Sequence, residues 1–333
     1  MGVVIDADES VVPRGARVLT AVSSGADSMA LLWWLLAIGR HVVVAHVNHG
    51  LHELRPGQCD ADDQFVREKC AGLGVPFLSR KIELKRKNGH VNEVAAREGR
   101  YAALLEMARE RGCDRVATAH TATDGLESAL LNLMRGAGPN GWRGIAPMRI
   151  LEGEIWLVRP LWRVPREATR EVLRAAGWDW REDASNLEPH FRRNRVRAQV
   201  LPLLGEISGQ NPDDLAVRYV KNAQIARDEA EFLDTTAYSA LFAMICKREN
   251  DLVILEGPKF NALDVAIQRR VLRRAAQLIV PDARDLASEK IETTRLAVET
   301  GAKRAVWEWR KDLRVEWTGA GAGNRLRFWR VKS

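Results

Sequence analysis

The chain has 333 residues, enough for about two domains, and its 46% hydrophobic and 29% charged residues are a globular balance that excludes a disordered or fibrous class. A net charge of +7 and a pI near 9.4 suit a polyanionic partner, nucleic acid above all. The four scattered cysteines form no CxxC, the longest apolar run (Met29 to Ile38) is half a membrane span, and the N-terminus MGVVIDADES lacks a basic leader, so a disulfide framework, a zinc or iron–sulfur site, a membrane anchor and a signal peptide are not expected and a cytoplasmic protein is.

In chain order, Arg17 to Val22 reads as a buried strand and Ser28 to Ile38 as a helix apolar nearly all round. Val42 to Val47 is a second strand, Cys59 to Leu73 an amphipathic helix, and Val75 to Leu78 a short third strand. Asn92 to Arg111 reads as a long helix, Arg115 to Ala119 as a strand, and Asp124 to Met134 as a helix. Alternating strands and helices predict an α/β fold, a parallel sheet with helices on both faces. Ligands in such sheets bind beyond the carboxyl ends of the strands, which directs attention to Ser23 to Ser28, Asn48 to Arg55 and His120 to Asp124.

From Arg135 to Met148 a Gly/Pro-rich loop is expected, then a helix over Arg166 to Ala176 and a basic segment over Arg181 to Leu204. After about residue 205 the pattern is helical to about residue 300, and Ala305 to Val331 alternates around GAGAGN as a β-hairpin. The predicted organisation is a catalytic domain over 1–204 and a smaller, mainly helical domain over 205–333 with a terminal hairpin.

Ser23-Ser24-Gly25-Ala26-Asp27-Ser28 follows a strand and opens a helix. Small residues let the backbone approach a phosphate, and the helix start offers unpaired amides and the positive end of the dipole. Asp27 would repel a phosphate unless it caps the helix or acts through Mg²⁺. The segment is neither a Walker A motif nor a GxGxxG fingerprint.

SSGADS resembles the SGGxDS loop of the PP-loop ATP-pyrophosphatase superfamily, with Ser24 where glycine is usual; a positive φ there would strain a serine. Further segments resemble the tRNA(Ile)-lysidine synthetase family within it: His46 to Leu51 (HVNHGL), Glu93 to Tyr101 (EVAAREGRY), Arg135 to Gly144 (RGAGPNGWRG), and Glu182 to Arg197 (EDASNLEPHFRRNRVR). HTATDGLES from His120 is similar to HHxDDQxET, keeping His120, Asp124 and Glu127 but with Thr121, Thr123, Gly125 and Ser128 at the other positions.

The resemblance implies ATP-dependent attachment of free L-lysine to C2 of cytidine 34 in the CAU anticodon of tRNA(Ile), through an adenylated cytidine. It implies ATP on Ser23, Ser24, Gly25, Ala26, Asp27 and Ser28. Asp27 and Asp124 would serve as Mg²⁺- or substrate-orienting carboxylates, Arg100 would meet the α-phosphate, and His120 a phosphate or a moving proton. The metal ligands stay open, and so does the assembly, a homodimer included. Arg192, Arg193, Asn194, Arg195 and Arg197, with Arg135, are the expected tRNA contacts, four arginines in six residues without an acid. The tail from Gly301 carries nine Lys/Arg, three Asp/Glu and four tryptophans, which suits either RNA stacking or a small sheet core. The alternatives are a thiolation enzyme of the superfamily and a degenerate member that binds tRNA without chemistry.

Overall fold

A computed structural model describes residues 5–48, 57–82, 86–87, 90–91, 93–181, 192–283, 286–319 and 323–331. It divides into two compact units, Met1–Ala226 and Arg227–Ser333. The division falls inside a long helix, later than the expected boundary after residue 204.

The first unit runs β1 (Arg17–Ala21), α1 (Ala26–Ala37), β2 (His41–Asn48), α2 (Gln58–Leu73), β3 (Phe77–Lys81), the two-residue strands β4 (Arg86–Lys87) and β5 (His90–Val91), α3 (Glu93–Glu110), β6 (Arg115–Ala117), α4 (Ala122–Met134), α5 (Gly138–Trp142), β7 (Met148–Glu152), β8 (Ile155–Val158) and α6 (Arg166–Ala176). Then α7 (Arg192–Arg195) passes through a π-helical turn (Val196–Val200) into α8 (Leu201–Ser208), and α9 (Pro212–Met244) begins.

The main sheet has the order β3-β2-β1-β6-β8-β7, parallel except for the β7 edge. Alternation along the strands sorts the core onto two faces. Val18, Val44 and Ala117 meet α1, α2 and α6 on one face, while Leu19, Ala45, Val116 and Leu157 meet α3 on the other. Helix α1 is apolar all round because it is covered on both sides, by the sheet and by α6. Leu31, Leu32 and Leu35 are fully buried, each worth about 2 kcal/mol in removed apolar surface.

The β7–β8 hairpin was not expected, and the Gly/Pro-rich loop before it contains α5. Strand β3 starts two residues later than expected because Gly74 and Val75 close the end of α2 through bonds to Ala71 and Cys70. The first unit extends past residue 204 because Ala216, Tyr219 and Ala223 of α9 pack with Ala122, Leu126 and Ala129 of α4. Tyr219 also accounts for Gly125 at a position where the resembled motif has glutamine. A Cβ on Gly125 would lie 3.0 Å from the Tyr219 ring, and one on Gly144 1.8 Å from the Tyr219 hydroxyl, so the tyrosine fills the space that larger residues would need.

The second unit is less helical than expected. After the end of α9 come β9 (Ile245–Glu249), β10 (Leu252–Glu256), α10 (Gly257–Asn261), α11 (Val265–Ile279), α12 (Ser288–Glu299), β11 (Ala305–Arg310), β12 (Leu313–Trp317) and β13 (Arg325–Arg330). The tail is three strands, not one hairpin, and joins β9–β10 in an antiparallel sheet of order β11-β12-β13-β10-β9. Trp309 and Trp317 are buried in its core with Phe328 and α11. Among the described residues no helix is long and apolar enough to cross a membrane.

Candidate active site

The loop between β1 and α1 is held open by its own residues. The Ser28 hydroxyl donates to the Gly25 carbonyl (2.8 Å) and accepts from the Ser23 amide (3.1 Å). Gly25 is the N-cap, and no side chain caps the helix, which leaves the first-turn amides for an anion. From β2, the buried His46 ring bonds the Val22 carbonyl through Nδ1 (2.8 Å). His49, Gly50 and Leu51 of the same motif lie outside the described residues.

Ser24 has φ +67°, the left-handed conformation expected where glycine is usual, and no other described non-glycine residue has a positive φ. Its hydroxyl donates to Asp62 on α2 (3.1 Å), which also binds Arg181 (2.8 Å), and the Arg181 amide donates to the Ser24 carbonyl (3.0 Å). The strain is therefore offset locally. Ser24→Gly should remove roughly 1 kcal/mol of strain and lose one hydrogen bond of similar worth. The expected thermal-melt result is a midpoint shift of no more than about 4 °C, with Arg181 loosened.

Asp27 and Asp124 are brought together, and Arg166, not anticipated from sequence, joins them. Asp27 opens α1 and accepts from Thr169 (2.7 Å) and Arg166 Nε (3.2 Å). Asp124 sits at N3 of α4, closing a capping box with Thr121. Its Oδ1 accepts from Arg166 (2.8 Å) and Arg193 (3.0 Å), with Arg197 at 3.4 Å. Glu127 is 0% exposed and held by Arg193 Nε and Arg197 Nε, each at 2.7 Å. Three carboxylates thus meet three guanidiniums. Arg166 is fixed from behind, since its amide donates to Thr123 (3.3 Å) and the Glu167 amide to Asp213 (2.8 Å).

The same surroundings push the two aspartates apart. Burial and the Asp124 charge raise the Asp27 pKa against the opposing pull of Arg166 and Thr169. Burial also works to raise Asp124, but Arg166, Arg193 and the Thr121 amide outweigh it and hold that carboxyl well below the usual range. Carboxylates separated in this way mark a functional site more often than a scaffold. A sequence signal for Arg166 existed. A cation as the first residue of a helix opposes the dipole, and is favoured only with anions beside it.

His120 follows β6, its Nδ1 3.0 Å from the Thr118 hydroxyl. Burial, then Arg159, keeps its pKa well below 6.5, so the ring is neutral. Arg100 lies near it on α3, over the Tyr101 ring. Arg192 and Arg195 are exposed at the start of α7, as is Arg135 at the end of α4. Arg193 and Arg197, read from sequence as part of an outward-facing cluster, instead turn inward to Asp124 and Glu127. Asn194 is half-buried and engaged with neighbours. Glu182 to Phe191 lie outside the described residues.

Comparison with known proteins bears on the family. A protein of Dehalococcoides mccartyi named tRNA(Ile)-lysidine synthase is 32% identical over 309 residues, 90% of this chain and 64% of that protein. The Solibacter usitatus protein of that name is 36% identical over 286 residues, 84% of this chain and 60% of that protein. That of Deinococcus radiodurans is 42% identical over 194 residues, 57% of this chain and 31% of that protein. The chain therefore spans less than two thirds of the length of these relatives. Among solved structures, the U34-tRNA thiolase NcsA of Methanococcus maripaludis, determined with its 4Fe-4S cluster, shares the fold at a TM-score of 0.52 and 14% identity, over 66% of this chain and 75% of that one. The PP-loop domain model matches residues 6–204, the segment that carries the β1–α1 loop, Asp124 and Arg166, and the chain belongs to that ATP-binding family.

Proposed function

We propose that the protein ligates lysine to C2 of cytidine 34 in the CAU anticodon of an isoleucine tRNA in the cytoplasm, converting ATP to AMP and pyrophosphate. The observation that carries this reading is the uncapped loop Ser23 to Ser28 opening beside the Asp27–Arg166–Asp124 chain, in a sequence whose relatives bear the lysidine synthase name. The C2 oxygen of cytidine attacks the α-phosphorus and the bond to pyrophosphate breaks. The lysine amine then attacks C2, the C–O bond breaks, AMP leaves and the amine loses a proton.

In this reading the amides of Gly25 to Ser28 hold the ATP phosphates, and Arg100 meets charge developing at the α-phosphate. His120, kept neutral by burial and Arg159, offers a ring N–H to a phosphate oxygen. Asp27 and Asp124 already share one cation, the Arg166 guanidinium, and their carboxylate oxygens are the hard donors a divalent ion takes. Among the described residues no group of three or more His, Cys, Asp or Glu is placed to hold a metal ion. That suits Mg²⁺, which keeps water and phosphate oxygens as its other ligands and, when bound, supplies charge neutralisation at the departing pyrophosphate. Arg135, Arg192 and Arg195 are the outward-facing RNA contacts in this reading, with Arg193 and Arg197 behind them.

Thiolation is the weaker reading. The four cysteines are free, and burial pushes the Cys70 thiol up to about 11 and raises Cys113, the reverse of a reactive thiolate. The nonenzymatic reading loses its main support because Ser24 is accommodated by Asp62. The test is incorporation of labelled lysine into a CAU-anticodon isoleucine tRNA transcript. ATP-dependent incorporation is expected, and tRNA binding without any incorporation would overturn the proposal.

The His120 shift gives a pH signature. With its folded pKa far below 6.5, lysine transfer should show no inflection from His120 between about pH 6 and 8. Below pH 6.5 the unfolded chain binds a proton that the folded one refuses, so stability falls as the pH drops from there toward the folded pKa. Melting midpoints should therefore decline below about pH 6.5 more steeply in wild type than in His120→Gln.

A further inference from the structure

The carboxyl edge of the main sheet carries a second cluster of arginines that no carboxylate among the described residues neutralises. Arg159 follows β8 and is only 2% exposed; Arg97 and Arg100 stand near the start of α3, and Arg149 near the start of the antiparallel β7. Strand directions therefore bring all four to the edge where the Ser23 to Ser28 loop and His120 lie. The guanidinium carbons of Arg97, Arg100 and Arg149 sit 5.5, 5.4 and 5.3 Å from the Tyr101 ring centroid. The Arg159 side chain donates from Nη1 to the Ala146 carbonyl (2.6 Å) and its guanidinium faces the Tyr101 hydroxyl without a bond of normal geometry.

Three buried polar atoms here have no hydrogen-bond partner: Arg100 Nε, the Tyr101 hydroxyl and Arg159 Nε. Buried donors are ordinarily satisfied, and each orphan costs about 1–3 kcal/mol. Four like charges around one ring add repulsion that the ring's π-face offsets only in part. The contrast lies on the same edge, where Arg166, Arg193 and Arg197 are each met by carboxylates. An arrangement this unbalanced fits an anion that offers oxygens to several donors at once.

We propose that Arg97, Arg149, Arg159 and the Tyr101 hydroxyl, beside Arg100, form a second phosphate-binding site, separate from the Ser23 to Ser28 loop, that takes a phosphodiester of the RNA strand beside the reacting base. Guanidiniums bind phosphate in bidentate fashion, and a tyrosine hydroxyl supplies a further donor. The RNA occupant rests on the proposed lysine-transfer reading, whereas the anion site itself does not.

The variants are Arg97→Gln, Arg149→Gln and the double, at positions exposed or half-buried, so that folding is retained. Affinity is measured for a CAU anticodon stem-loop across a salt series, and for pyrophosphate, ATP and lysine. Each glutamine should weaken RNA binding roughly ten-fold and flatten the log–log salt slope by about 0.7 per lost contact, with ATP affinity unchanged. If pyrophosphate weakens instead and RNA does not, the site is a phosphate site but its RNA occupant is overturned. If wild type fails to bind the stem-loop while the variants still lose pyrophosphate, the RNA-substrate reading fails and the anion site stands. Unchanged affinity for both phosphates in the folded double variant, or a loss confined to lysine, overturns the site altogether.

Discussion

Asp124→Asn will melt roughly 6–12 °C below wild type at neutral pH, while Asp27→Asn will melt at the wild-type temperature or above it. Asp124 is the anion that Arg166, Arg193 and Arg197 share. Removing its charge leaves three part-buried guanidiniums to Glu127 and Asp27, and breaking such a network by deleting one partner costs about 3–5 kcal/mol. Its folded pKa is depressed, so this stabilisation is complete above the unfolded value near 4 and is lost as the pH falls from there through the folded pKa. The two melting curves should therefore converge only in strong acid. Asp27 has the opposite sign. Its folded pKa is raised, so at neutral pH its charged form is held against burial and against Asp124. An asparagine keeps an acceptor for Thr169 and removes that repulsion. A melt in which both variants fall equally would show that the carboxylates are not divided in this way.

The parts of this site legible in the sequence are those built from neighbours along the chain. Ser23 to Ser28 could be read because a strand end, small residues and a helix start are contiguous, and the positive φ of Ser24 followed from a serine where glycine is usual. His120 and Asp124 were legible because both lie in the segment just after one strand. Arg166 was not, because it meets Asp27 across 139 residues and Asp124 across 42. Arg193 and Arg197 look like solvent-facing cations in sequence, and the buried Glu127 and Asp124 turn them inward. Glu127 itself was seen only as a motif match. The β9–β10 hairpin escaped because Cys246 to Asp251 is polar and short, and a five-residue strand gains its reason from β13 beside it. Trp309 and Trp317 were legible: alternation in the tail allowed a small sheet core, and that is where both lie.

The larger functional effect is expected at Asp27. Asp27→Ala should cut lysine transfer by at least about 10²–10³-fold while the protein stays folded, since the residue contributes little or negative stability. It stands at the first turn of α1, beside the amides proposed to hold phosphate, where its charge repels that phosphate unless a cation intervenes. Arg166 is such a cation, shared by Asp27 with Asp124. A group kept in place at a cost to the fold is one that the chemistry needs. Measuring transfer, ATP binding and melting on the same preparation separates the outcomes. Lost transfer with a native melt matches a role in the reaction, and retained transfer would remove Asp27 from it. Arg166→Lys offers the companion test: a shorter, single-point cation cannot span Asp27 and Asp124 together, so transfer should fall with it even though the charge is preserved.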